Sequence, residues 1–325
     1  MFKHESAIKL TAIACCAVVA ACSRTEQENK VVEAGDDEAG RPVIALIMKS
    51  LANEFFVTMA DAARQHQASH DDDYALIVNG IKNETDLAQQ VALIDQMIAS
   101  NVDAIVIAPA DSKAVVPALA RASASGITIV NIDNRLDSMI LDEYELTVPF
   151  VGPDNFHGAE LAGRYLASWL GEGQEVAILE GVPTAYNSQR RTAGFESAMS
   201  DAGLKVVARQ SAQWDQTMAV TIASAMLVQH PDLAALLCAN DNMALGAAAA
   251  VTQTGKQGQI SIVGFDDISA VRELIRTGSV LATVDQHADL LAVYGIEYAL
   301  EALVPGARLA DKSTPVDLVT ADTLH

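Results

Sequence analysis

Hydrophobic positions along this chain alternate between short β-branched runs and longer stretches in which apolar residues return every three to four positions. The short runs predict strands at "VIALIM" (43–48), "YALIVN" (74–79), "AIVIA" (104–108) and "ITIVNI" (127–132). Between them the helical period predicts helices over 54–70, 84–100 and 112–125. A second series begins near 147 with "TVPFVG" and continues with "EVAILEG" (175–181), "KVVAR" (205–209), "AALLCA" (234–239), "ISIVGF" (260–265) and "VLATVD" (280–285), again with helices between. A helix over 288–303 and a strand "TPVDLV" (314–319) close the chain. Strand and helix in strict alternation imply parallel sheets with right-handed crossovers. The fold class expected is therefore α/β, as two doubly wound parallel-sheet lobes joined by a hinge.

The stretch "LANEFF" (51–56) interrupts this simple pattern. It sets Phe55 beside Phe56 in a chain with only seven phenylalanines. A helical period turns consecutive side chains well apart, so packing against one sheet explains one ring and not readily both.

In open parallel sheets, ligands bind beyond the carboxyl ends of the strands, where loops and helix N-termini converge. The polar residues at those ends are Asn53, Asp133 with Asn134, Asn240 with Asp241, Asp266 with Asp267, and Gln286. Each could instead cap the helix or turn that follows it. A full set of amides and carboxylates at successive strand ends of both lobes points beyond capping.

Composition and charge narrow the partners. Lys and Arg total 21 against 42 Asp and Glu, a formal charge of −21. Such a surface repels phosphate backbones and anionic lipid, so nucleic acid is not expected as a partner. The first 22 residues read differently: Lys3 and Lys9 flank the start of "LTAIACCAVVA", an apolar run too short to span a bilayer. This is an export signal over 1–22. Residues 23–40 are polar, acidic and without period, and are expected to form a flexible tether. Cys238 is then the one cysteine of the folded part, and it lies in an apolar run, so no disulfide framework is expected there.

Several of these stretches recur in a known order. "LANEFF", "IDN" (132–134), "RTAGF" (191–195), "WDQ" (214–216), "ANDNMALGA" (239–247), "GFDD" (264–267) and "TVDQ" (283–286) together resemble the ribose-binding protein family of periplasmic solute receptors, from about residue 41 to the end. "ANDNMALGA" and "GFDD" also occur in the wider lac-repressor-like superfamily and speak to fold; "LANEFF" is more specific to sugar receptors. The end of the signal, "VAAC", resembles a lipobox, which implies Cys22 as the lipidated first residue of the mature chain.

The resemblance implies ligand contacts at Asn53, Phe55, Phe56, Asp133, Arg191, Trp214, Asn240, Asp266 and Gln286, with Asn134 beside them as a further candidate. The chemistry fits. A sugar has an apolar C–H face and a rim of hydroxyls that donate and accept, which suits aromatic plates with in-plane amides and carboxylates. Phe55 or Phe56 is expected to cover one face and Trp214, from the other lobe, the opposite one; a core tryptophan is the plainer alternative. Two carboxylates against one guanidinium favour an uncharged ligand. Ribose-binding members often carry Arg directly after the strand-end Asp, where this chain has Asn134 and then Arg135. With Trp at 214 in place of Phe, the expectation stops at a neutral monosaccharide or sugar alcohol.

The function implied is that of a lipid-anchored solute-binding protein of an ABC-type sugar importer, which captures its ligand by hinge closure and presents it to a membrane permease. The alternative is a sensor that presents the same closed form to a chemoreceptor or sensor kinase. Localisation is expected in the periplasm or on the outer face of the cytoplasmic membrane, as a monomer. The family pattern divides the chain into 41–153 plus 287–314 as one lobe and 154–286 plus 315–325 as the other. An enzyme is not expected: the sequence has no G-x-S-x-G elbow, P-loop or G-x-G-x-x-G, and no cofactor is implied. His66 and His70, four apart, are read as a solvated helix end, with a metal as the alternative.

Overall fold

A computed structural model describes residues 40–324. The expected signal over 1–22, with Cys22, and all but the last residue of the expected tether lie outside the described residues. The first sheet consists of β1 (Val43–Ser50), β2 (Ala75–Ile81), β3 (Ala104–Ile107), β4 (Thr128–Ile132), β5 (Phe150–Pro153) and β11 (Lys312–Thr314). Its spatial order is β11-β5-β4-β3-β1-β2, with every neighbouring pair parallel. The second consists of β6 (Glu175–Glu180), β7 (Lys205–Ser211), β8 (Leu233–Cys238), β9 (Ser261–Val263), β10 (Ala282–Asp285) and β12 (Asp317–Thr320). Its order, β12-β10-β9-β8-β6-β7, repeats the first, except that β12 runs antiparallel to β10.

The pleat explains why these segments read as nearly continuous apolar runs. In β1, Ile44, Leu46 and Met48 join one buried cluster while Ala45 and Ile47 join another, so both faces of the sheet are covered. One cover is α2 (Leu87–Ala99) with α3 (Val116–Ala124); the other is α1 (Glu54–Ser69) with α10 (Ala288–Ala302). On the second sheet α5 (Asn155–Ala167) packs beside α6 (Tyr186–Asp201), and α7 (Gln216–Gln229) beside α8 (Asp241–Gln253). A short α9 (Ser269–Arg276) sits between β9 and β10.

Two parts of the sequence pattern resolve differently. The run at 147–152, grouped by pattern with the second series, supplies β5 of the first sheet, beside β4. "TPVDLV" is not one strand. Pro315 has no N–H to donate to a ladder, so the run breaks there: β11 ends in the first sheet and β12 begins in the second. The chain thus passes between sheets three times, after Pro153, after Asp285 and after Thr314. The second passage contains His287, whose φ of 55° is left-handed. A short helix, α4 (Ser138–Glu143), capped by the Asp137 carboxylate, has no counterpart in the pattern because none of its residues is buried.

His66 and His70 stack with ring centroids 4.2 Å apart, and His66 Nδ1 meets the Tyr74 hydroxyl at 2.9 Å. No group of three metal-ligating side chains occurs among the described residues.

Candidate functional site

The carboxyl ends of both sheets converge on a cavity holding about 240 Å³ of atom-free space.

From the first lobe, Asn53 ends the β1–α1 loop and caps α1 by accepting from Phe55 N at 3.1 Å. Its amide nitrogen faces Glu84 Oε1 at 3.3 Å. The capping and cavity-lining readings of this residue therefore hold together. The cap starts the helix at Glu54, which places both Phe55 and Phe56 in its first turn, where both line the cavity. Their rings meet edge to face, 5.1 Å between centroids and 82° apart. That arrangement accounts for two adjacent buried phenylalanines.

From the second lobe, Trp214 lies in the β7–α7 loop, just before the α7 cap Asp215. Its backbone φ is 66°, a left-handed conformation that is uncommon for a bulky residue. The six-membered edge of its indole lies against Gly181, where even a Cβ would fall about 2.1 Å from the ring. The indole Nε1–H is buried and has no hydrogen-bond partner among the described residues. Asp133 (φ 60°) and Asp266 (φ 128°) share the unusual backbone sign. Backbone of this kind concentrates where a fold over-determines a site.

Arg191, on α6, is the anchor of a buried network. It donates through Nε to Asn155 Oδ1 at 2.7 Å, through one terminal nitrogen to the Ala239 carbonyl at 2.8 Å, and through the other to Gln286 Oε1 at 3.2 Å. Its guanidinium stacks 3.7 Å over the Phe265 ring. Gln286 donates in turn to Asp266 Oδ1 at 2.7 Å, an oxygen that also lies 3.5 Å from Arg191. Burial pushes the Asp266 carboxyl well above its ordinary range, against the opposing pull of Arg191. Asn240 both caps α8, accepting from Met243 N at 2.9 Å, and lines the cavity.

Nine of the ten ligand positions expected from sequence are brought together here. Asn134 is not. Its Oδ1 accepts from the Asn187 backbone N–H at 3.1 Å, and its Nδ2 donates to the Pro109 carbonyl at 2.9 Å. Arg135 turns to Asp311, 2.7 Å away, and to the Phe150 ring.

Three lining residues escaped the sequence reading: Lys49, Glu84 and Asn187. Lys49 Nζ lies 2.9 Å from Asp133 Oδ2 and within 6 Å of both the Phe56 and Trp214 rings, at 5.5 and 5.9 Å. The available signal was one lysine at the end of an otherwise apolar strand, "VIALIMKS". Glu84 precedes α2 in a stretch expected to be helical, and burial pushes its carboxyl up to about 7 against the pull of Lys49. Asn187 stands in the first turn of α6, one turn before Arg191. The site thus holds two cations and three carboxyls, where the sequence reading counted one and two.

Known proteins are similar to this chain in sequence and fold. The model of the periplasmic binding protein domain matches residues 44–307. A D-ribose/D-allose-binding protein of Pseudomonas aeruginosa is 53% identical over 86% of this chain and 89% of its own length. A D-allose-binding periplasmic protein of Escherichia coli is 32% identical over 85% and 89%. The chain belongs to the ribose-binding-like periplasmic binding proteins. Solved members agree in fold. An ABC transporter solute-binding protein from Burkholderia multivorans superposes with a TM-score of 0.85 at 52% identity, covering 87% of this chain and all of that one. A periplasmic binding protein from Actinobacillus succinogenes with bound D-allose gives 0.81 at 34% identity, covering 87% and 98%. Family membership accounts for the two similar sheets and for a cavity between the lobes.

Proposed function

We propose that this protein captures D-ribose or D-allose between its lobes and delivers it to the membrane permease of an ABC importer. The observation that carries the reading is the cavity itself: Phe55 and Phe56 from one lobe and Trp214 from the other, with a fixed rim formed by Asn53, Asp133, Arg191, Asn240, Asp266 and Gln286. Carboxylates accept hydroxyl protons, Arg191 donates to hydroxyl or ring oxygens, and the amides do both. The Trp214 N–H, without a partner among the described residues, adds a further donor. The names of the relatives favour the same two sugars.

These sugars are chemically one problem. Allopyranose is ribopyranose with a hydroxymethyl group at C5, and the hydroxyls at C2, C3 and C4 have the same configuration in both. A rim that reads those three hydroxyls, with room at C5, accepts both and rejects their C3 epimers, xylose and glucose. Binding becomes a signal because closure of the lobes buries the ligand and fixes the surface that the permease meets.

The test is a thermal-shift panel of pentoses, hexoses, deoxysugars and polyols. Ligands that bind only the native state raise Tm, here by roughly 5 °C or more at a hundredfold excess over Kd. The reading expects ribose or allose to lead and xylose and glucose to trail by at least about tenfold in affinity. No response to any sugar overturns it. Export and anchoring are further parts of the proposal, supported by the short apolar leader and the "VAAC" sequence ending at Cys22. Intact mass of the mature chain tests them: a lipidated Cys22 is expected, and an unmodified N-terminus rejects the anchor.

A further inference from the structure

Two helices of the second lobe begin without a cap of their own. α6 follows Ala185 and α9 follows Ile268, and neither residue can accept a hydrogen bond through its side chain. Exposed first-turn N–H groups require partners. Here they find them in the other lobe. Tyr186 N donates to Ser112 Oγ at 2.9 Å and Asn187 N to Asn134 Oδ1 at 3.1 Å. At α9, Ser269 N donates to Glu54 Oε1 at 2.9 Å, and the Ser269 hydroxyl to Glu54 Oε2, also at 2.9 Å. The remaining helices of eight or more residues in the second lobe, α5, α7 and α8, are capped locally by Asp154, Asp215 and Asn240.

We infer that Glu54, Asn134 and Ser112 are positioning residues that cap α6 and α9 across the cleft, so that the lobes complete these two helices whenever they close, in the sugar-free protein as in the loaded one. This rests on the sugar-binding reading, because the closed form is the one that holds ligand. None of the three lines the cavity, yet each acts on it. Glu54 adjoins Phe55, and Asn134 holds the N–H of cavity-lining Asn187. Opening exposes the freed N–H groups to water and moves the Glu54 carboxylate away from the positive end of α9. Apparent affinity scales with the population of the competent state, so these caps tune how tightly sugar is held without choosing which sugar.

Ser269→Pro offers a clean probe. Proline is favoured at the first helical position, where it removes the N–H, and the substitution also removes the hydroxyl. Ile268 already has the extended backbone that a following proline requires, with ψ 153°. The experiment measures calorimetric affinity for D-allose and D-ribose, and hydrogen exchange at the start of α9 without sugar, in wild type, Glu54→Ala, Glu54→Gln, Ser269→Pro and Glu54→Ala with Ser269→Pro.

Glu54→Ala and Ser269→Pro are each expected to weaken both sugars by the same factor, roughly three- to tenfold, with their order unchanged. Glu54→Gln retains an acceptor and recovers part of the loss, and the double variant binds no worse than the weaker single one. Exchange in the sugar-free protein quickens around residues 270–273 in Glu54→Ala. That readout needs no sugar, so a failure of wild type to bind D-allose or D-ribose rejects the ligand reading while the exchange result still decides the capping one. Unchanged affinity and exchange in Glu54→Ala overturn the inference, as do fully additive losses in the double variant.

Discussion

Lys49 Nζ lies 2.9 Å from Asp133 Oδ2, and both side chains are almost wholly buried. A buried pair of this kind is weak ground for stability in itself, but removing one partner leaves an uncompensated charge. Asp133 Oδ2 makes no aligned hydrogen bond among the described residues, so the pair is held by charge and leaves an acceptor open to the cavity. Lys49→Met is therefore expected to lower Tm and weaken sugar binding about thirtyfold or more, on the order of 2 kcal/mol. Calorimetry and thermal unfolding check both; wild-type affinity in the variant shows that the pair lies outside the binding machinery.

Gly181 supports the indole of Trp214. Its backbone lies outside the left-handed region, so alanine is tolerated by the backbone and meets first the ring, about 2.1 Å from the added carbon. A rigid indole cannot yield as a flexible chain end does. Gly181→Ala should drive Trp214 toward the cavity and weaken sugar binding at least about tenfold, with modest loss of stability. Calorimetric titration against wild type measures the loss.

Removal of the Asp266 carboxylate leaves Arg191 its bonds to Asn155, to the Ala239 carbonyl and to Gln286. The second lobe should therefore still fold in Asp266→Ala. Hydrogen bonds to charged groups contribute about 1.5–3 kcal/mol, so sugar affinity is expected to fall by roughly ten- to a hundredfold. Trp214→Ala should lose comparable affinity through one bare sugar face. Circular dichroism confirms the fold and calorimetry the loss; wild-type binding in either variant removes that residue from the site.

Glu84 gives the protein a defined response to pH. Its carboxyl ordinarily titrates at 4.5 and is pushed by burial to about 7 in the fold. Between those values the folded protein keeps a proton that the unfolded chain has released, so stability from this group is lost as pH rises through the window. Glu84→Gln should flatten the fall in Tm between pH 4.5 and about 7, and gain on wild type above it. Tm profiles of the two proteins test this by difference, since Asp241, also pushed up to about 7 by burial, contributes equally to both. Parallel profiles contradict it.

The alternation of strands and helices was legible because both faces of each sheet are covered, which leaves central strands such as β3 and β8 apolar along their length. Sheet membership was less so. Nothing in the apolar pattern of 147–152 tells that β5 pairs with β4, and only Pro315 marks where the last run divides. Within the site, residues of the "LANEFF", "WDQ" and "TVDQ" stretches converge because each follows a strand end. Asn134 follows one too, but its amide is taken up by the Pro109 carbonyl and by the Asn187 N–H of α6, so its side chain turns away from the cavity. Lys49 was hidden for a related reason: its charge is matched by Asp133, more than eighty residues away, and pairing at that distance leaves no local trace.

The most direct measurement is a crystal structure of the protein with D-allose or D-ribose. It is expected to place the sugar ring between Trp214 on one face and Phe55 or Phe56 on the other, with Asp133, Arg191 and Asp266 on its hydroxyl edge. A bound sugar elsewhere, or one whose faces none of these three rings covers, contradicts the account.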